Sequence, residues 1–177
     1  MVLDFVETLL AQRIITQLTP DDLARLNALP TADVVALLLE RFRAPRFKDQ
    51  DSRALYLLLQ LKHFDRVGFL IDVFDHPPEP VEDWQVGLAL DLGEFDDPRA
   101  LAKLIEIVRD HPSGGVRCFA MENLPRLAIA LDSGEPLAVL DDVAEQGVGE
   151  DGLGFTVRDC ARWAARTIRN GLATKTN

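Results

Sequence analysis

The sequence predicts an all-α fold, on three observations. Apolar residues recur at helical spacing along most of the chain. Helix-start signals such as Asp97-Pro98 precede several of these runs. No run alternates apolar and polar residues between turn signals, as a half-buried strand would. With 177 residues, of which 47% are apolar, the chain can bury a substantial core, and one domain spanning 1–177 is the default expectation.

In chain order, residues 2 to 16 place Val2, Phe5, Val6, Leu9, Leu10 and Ile14 on one helical face. Thr19-Pro20-Asp21-Asp22 is a second start, with Thr19 as cap and Asp22 as the answering acid, and its helix stops before Pro30. Thr31 caps a third helix, whose Val34, Val35, Leu37, Leu38 and Phe42 face inward. Arg41, Arg43, Arg46 and Lys48 gather around Ala44-Pro45 as a solvated basic loop. Asp51 to Phe64 is so dense in leucine that it should be the most buried helix. Arg66 to Asp75 is a short helix with Phe69, Leu70 and Val73 inward. The prolines of His76-Pro77-Pro78-Glu79-Pro80 make a stiff turn to its partner, 81–95.

Asp97 and Pro98 open the clearest helix, because Asp caps free amides and Pro at the first position gives up an amide with no partner. Leu101, Leu104, Ile105 and Val108 form its apolar face. Pro112 ends it, Ser113 caps the next, and Val116, Phe119, Ala120, Leu124, Leu127, Ala128 and Leu131 continue the spacing, with a bend expected at Pro125. Ser133-Gly134-Glu135-Pro136 opens a helix with Leu137, Leu140, Val143 and Ala144 inward. A glycine-rich loop, expected to be mobile, runs to Phe155, and Thr156 with Asp159 caps the last helix. Residues 173–177 should fray.

Two segments repeat. Val116-Arg117 with Ala120, Leu127 and Leu131 returns 41 residues later as Val157-Arg158, Ala161, Ile168 and Leu172. Leu61-Lys62-His63-Phe64-Asp65 returns after 31 residues as Leu92-Gly93-Glu94-Phe95-Asp96. Repeat units of roughly 30 to 45 residues are typical of helical solenoids. The Asp-Pro opening and the Val-Arg-x-x-Ala start resemble the HEAT family of helical repeats over about residues 50–171. The resemblance implies a right-handed α-α superhelix of antiparallel helix pairs, about four of them in 50–171, with 1–49 as an atypical N-terminal cap. Ser52-Arg53 and Trp84-Gln85 depart from the pattern, and Gly147 to Phe155 is an insertion.

The formal net charge is −10, which argues against nucleic acid as the main partner. Residues 65–110 hold 12 acids against 4 bases, and 132–151 hold seven acids and no base. Against this background Arg158, Arg162, Arg166 and Arg169 fall within about 80° of arc on the last helix. They can pair with Asp141, Asp142 and Glu145 or contact an acidic partner. The loop glycines lack the Gly-Lys-Ser/Thr ending of a phosphate loop, and its acids do not follow the EF-hand pattern. Cys118 and Cys160 belong to no metal-spaced cluster and read as small core-facing or half-buried thiols, while their nearly equivalent places in neighbouring units leave a bridge between them open. His63, His76 and His111 lie at helix ends, where the dipole favours them, and no catalytic signature is present. The chain start carries no basic or long apolar leader, no stretch approaches a membrane span, and a reducing cytoplasm is the expected compartment.

The expectation is a non-enzymatic protein-protein interaction module with no cofactor or metal and with a protein partner, existing as a monomer or weak homo-oligomer. In the HEAT resemblance the second helices line the concave surface. That makes Trp163, Arg162, Arg166, Glu122 and Arg126 the contact residues, with Glu82, Asp83 and Gln85 on the earlier helix. Trp84 aligns with Val116 and is expected in the core. Two alternatives belong to other classes. One is an immunity or inhibitor protein that covers a basic toxin or nuclease with its acidic surface. The other is a HEAT-like enzyme or lyase subunit, for which the glycosylase form has the wrong charge.

Overall fold

The computed structural model describes residues 2–11, 18–43, 48–77, 82–151 and 153–175, with backbone alone for 2, 3, 48–52 and 82–84. Among these residues there are ten helices: α1 (Val2–Leu10), α2 (Pro20–Ala28), α3 (Thr31–Arg43), α4 (Lys48–Leu59), α5 (Arg66–Asp75), α6 (Glu82–Leu92), α7 (Pro98–Asp110), α8 (Gly114–Ala130), α9 (Pro136–Gln146) and α10 (Val157–Lys175). The described residues hold no strand, only an isolated antiparallel bridge between Glu150 and Thr156. None of their helices is long and apolar enough to cross a membrane. Ile14, Ala44, Pro45, Arg46 and the prolines at 78 and 80 fall outside the described residues.

The chain divides into two compact units, Met1–Arg66 and Val67–Asn177. In the first, α1 packs on α3 and α4, and α3 packs on α4. Val6, Leu9, Val34, Leu38, Leu57 and Leu58 supply its interior. The start at Thr19 forms as its sequence dictates. Asp22 N donates to Thr19 Oγ1 at 3.1 Å, and the hydroxyl donates back to Asp22 Oδ2 at 2.7 Å. Arg53 is 2% exposed and donates from Nε to the Leu9 carbonyl, tying α4 to the end of α1. The Arg25 guanidinium lies 4.0 Å from the centre of the Phe5 ring.

The leucine-rich helix starts earlier and stops sooner than its periodicity suggests, at Lys48 and Leu59. Asn27 takes over its free end. Its Nδ2 donates to the Gln60 carbonyl at 3.2 Å, and its Oδ1 accepts from Lys62 N at 2.8 Å. The 31-residue repeat has a backbone counterpart here. Phe64 N donates to Leu61 O, as Phe95 N does to Leu92 O, both at 3.4 Å. Arg66 N to Phe64 O (2.9 Å) is matched by Asp97 N to Phe95 O (2.8 Å). The two segments are one turn used twice, each leading into the next helix.

In the second unit, α8 packs on α6, α7 and α10, while α9 packs on α7 and α10. Val116, Ala120, Leu124, Leu127, Ala161 and Ile168 are fully or almost fully buried in this interior. Both caps around the central pair form: Asp97 accepts from Arg99 N at 2.8 Å, and Ser113 Oγ accepts from Val116 N at 3.3 Å. Helix α8 runs through Pro125 without a break. The 41-residue repeat is also physical. Arg117 Nε donates to the Val108 carbonyl at 2.8 Å, and Arg158 Nε to the Gly147 carbonyl at 2.9 Å. Each arginine thus satisfies a carbonyl at the end of the helix before its own.

Candidate functional site

Helices α8 and α10 lie side by side and bound a groove of about 570 Å³. Cys118, Met121 and Glu122 line it from α8, where the i, i+3, i+4 spacing puts them on one face. Asp159, Cys160 and Trp163 line it from α10, and Asp151 and Phe155 come from the loop before α10. Trp163 is 51% exposed and Phe155 is 61% exposed, so two aromatic rings stand half in water beside an otherwise covered floor. Leu153 and Val148 on the same loop are each 75% exposed. Glu122, Asp151 and Asp159 are the charged residues in the lining, and all three are acids.

The loop expected to be mobile is tied down at its described residues. Val157 N donates to Gly149 O at 3.0 Å and Asp151 N to Phe155 O at 3.1 Å. Asp151 Oδ1 accepts from both Leu153 N (2.7 Å) and Phe155 N (3.0 Å), which turns the chain and fixes the Phe155 backbone at the groove edge. The loop also lies against the start of α8. A Cβ on Gly114 would come within 2.8 Å of Glu150 N, and Gly149 has φ +104°, so glycine is required on both sides of this contact. Thr156 and Asp159 close the far end as a capping box, at 3.2 Å and 2.7 Å.

At the floor, Cys118 is buried and Cys160 half-buried. The two thiols lie near enough for each to perturb the other's ionisation. Burial pushes both thiols above their ordinary range. Cys118 favours ionisation of Cys160, while Asp151, Glu122 and Asp159 oppose it. Among the described residues no group of three or more His, Cys, Asp or Glu side chains is placed to hold a metal ion.

The residues grouped by sequence do not share one surface. Trp163 and Glu122 line the groove. Arg162 and Arg166 line a separate cleft with Arg169, Asp141 and Ala144. There Arg169 Nη2 meets Asp141 Oδ2 at 2.5 Å, and Arg162 reaches Asp159 Oδ1 and the Ala144 carbonyl, each at 3.4 Å. Arg158, Arg162 and Arg169 therefore have internal partners, chiefly on α9, and Arg166 has no ion pair among the described residues. Arg126 donates to the Gly93 carbonyl and to Asp96 Oδ1 (2.8 Å), which makes it a brace between α8 and the end of α6. Gln85 is half-buried, and the side chains of Glu82, Asp83 and Trp84 lie outside the described ones.

Sequence reasoning missed Phe155 and Asp151 as parts of the site. A signal existed, namely apolar residues stranded in an acidic glycine-rich loop that gave them no core to join. Of the three histidines, His111 packs edge-on against Phe74 at 5.8 Å and His76 lies 3.4 Å from Asp72 Oδ1. No protein-family model, curated protein or solved structure matches the chain.

Proposed function

We propose that the second unit is a HEAT-like stack that acts as a non-enzymatic protein-interaction module, and that it holds its partner in the groove between α8 and α10. The order of helix contacts supports the stack. Helices α6, α8 and α10 follow one another on one side, α7 and α9 on the other, and α8 and α10 each rest on the helix before them.

The observation that carries the binding reading is the pair of half-exposed rings, Trp163 and Phe155, beside an apolar floor in a groove whose charged lining residues are all carboxylates. Exposed aromatic side chains around a covered floor are typical interface anchors. The charge pattern selects the occupant. Glu122, Asp151 and Asp159 match a segment with an apolar or aromatic anchor flanked by Lys or Arg, and they weaken, without forbidding, the approach of an anionic one. The same carboxylates favour a second reading, an inhibitory protein that covers a basic toxin or nuclease.

The test uses the fluorescence of Trp163 in a Trp84→Phe background. Two peptides share one leucine or phenylalanine anchor and differ in carrying lysine and arginine or glutamate around it. The basic peptide should bind and shift the emission to the blue, with affinity falling as salt rises. Trp163→Ala, followed by calorimetry, should weaken binding by about tenfold or more. Equal binding of both peptides, or binding indifferent to Trp163→Ala and Phe155→Ala, would remove the groove from consideration.

A further inference from the structure

We propose that Cys118 and Cys160 form a redox-closable dithiol site, which a small-molecule disulfide of the glutathione type converts into an intramolecular disulfide across the groove floor. The proposal is independent of the partner named above and concerns the chain with its groove open.

Three observations carry it. The two cysteines sit on different helices, α8 and α10, which pack together and bring both side chains to the same cavity, near enough for each to perturb the other's ionisation. Their exposure is unequal. Cys160 is half-buried and borders the open groove, whereas Cys118 is 3% exposed and sits behind it. The groove, about 570 Å³ and open to solvent at Trp163 and Phe155, gives a reagent of tripeptide size access to Cys160. Two thiols that merely packed in a core would have no such opening. This arrangement assigns the order of attack, with Cys160 first and Cys118 as the resolving thiol.

The chemistry balances. Cys160 Sγ loses its proton to solvent and attacks one sulfur of glutathione disulfide. That S–S bond breaks, a Cys160–glutathione bond forms, and one glutathione leaves as a thiolate that takes up a proton. Cys118 Sγ then attacks Cys160 Sγ, loses its own proton and expels the second glutathione. The protein gives up two electrons and two protons, and one disulfide becomes two thiols. Both protein thiols titrate above the ordinary range because of burial. Asp151 faces both of them, and Glu122 and Asp159 face Cys160, while Arg117 on α8 is the cation that draws Cys118 down. Only the thiolate attacks, so the rate should climb about tenfold per pH unit from neutrality into the alkaline range.

The experiment treats the reduced 177-residue chain with glutathione disulfide at mildly alkaline pH, quenches with N-ethylmaleimide, and reads the intact mass and the peptide map. The expected product has lost the mass of two hydrogens, carries no glutathione, yields a peptide joining Cys118 to Cys160, and melts at a higher temperature than the reduced chain. Cys118→Ser should stop at the mixed disulfide on Cys160, and Cys160→Ser should remain unmodified. A wild type that stops at the mixed disulfide would overturn the proposal. So would one that takes two maleimides after treatment, or one oxidised only when denatured. The wild-type peptide map decides the matter even if a serine variant fails to fold.

Discussion

Arg158 donates from Nε to the carbonyl of Gly147 at 2.9 Å, and Arg117 makes the same bond to Val108 at 2.8 Å, 41 residues earlier. The repeated Val-Arg pair is thus a device for closing the preceding helix, with valine entering the core and arginine reaching back. Removing it should be felt as lost stability. Arg117→Ala, at a half-buried site, should cost about 1–2 kcal/mol in urea unfolding, and Arg158→Ala, more exposed, about 1 kcal/mol. Equal and negligible losses would mean that the two bonds contribute nothing net.

Lys103 Nζ lies 2.5 Å from Asp75 Oδ1 and 2.6 Å from Glu106 Oε1, with the lysine side chain 6% exposed. Burial opposes its charge, but hydrogen bonds and attraction from Asp75 and Glu106 outweigh that and hold it above the usual lysine range. A cation whose folded pKa is raised contributes stability that is complete below the unfolded value, about 10.4, and is lost as pH rises through the folded one. Stability of the wild type relative to Lys103→Met should therefore be flat through neutral pH and decline above about pH 10.4. Asp75→Asn should cost about 1–2 kcal/mol at neutral pH, because Lys103 keeps Glu106 as its partner.

Gly93 is where α6 ends against α8. A Cβ there would fall 2.2 Å from Asn123 Cβ and 2.5 Å from its Cγ. Gly93→Ala should destabilise by about 1–3 kcal/mol. Asn123→Ala should not rescue it, since it keeps the clashing Cβ, whereas Asn123→Gly should recover part of the loss. Thermal unfolding of the wild type, Gly93→Ala and the two double variants reads this directly.

Asp151 has two roles, one in the loop turn and one in the acidic rim of the groove. Asp151→Asn keeps the acceptor and removes the charge, while Asp151→Ala removes both. Amide exchange at Leu153 and Phe155 should quicken in the alanine variant and stay near wild type in the asparagine variant. Binding of the basic peptide should fall in both, more in Asp151→Ala. Global stability should change by no more than about 1 kcal/mol, because the loop carries little of the core.

Charge reversal at Arg166, which is exposed and has no ion pair among the described residues, should leave folding within about 0.5 kcal/mol and groove binding unchanged. Arg169→Glu should cost more, because it places a carboxylate against Asp141. A loss of peptide binding in Arg166→Glu would return the arginine face to the contact surface.

The sequence by itself determined the helices, their caps and the repeated turns. These are local: Thr19 with Asp22, Ser113 with Val116 and Thr156 with Asp159 are each three residues apart, and apolar spacing along one helix needs no knowledge of the next. Even the two repeats were legible, because each encodes a bond between adjacent elements. What only the tertiary structure decided is which side chains share a surface. Trp163 and Arg162 are neighbours in sequence, yet they line different clefts, since one residue along a helix is a turn of about 100°. Cys118 and Cys160 come to one groove because α8 packs on α10, and Arg126 was taken up by Gly93 and Asp96 because α8 packs on α6. A groove is made of gaps between elements, so its lining depends on packing between residues far apart in the chain, which no short-range pattern records.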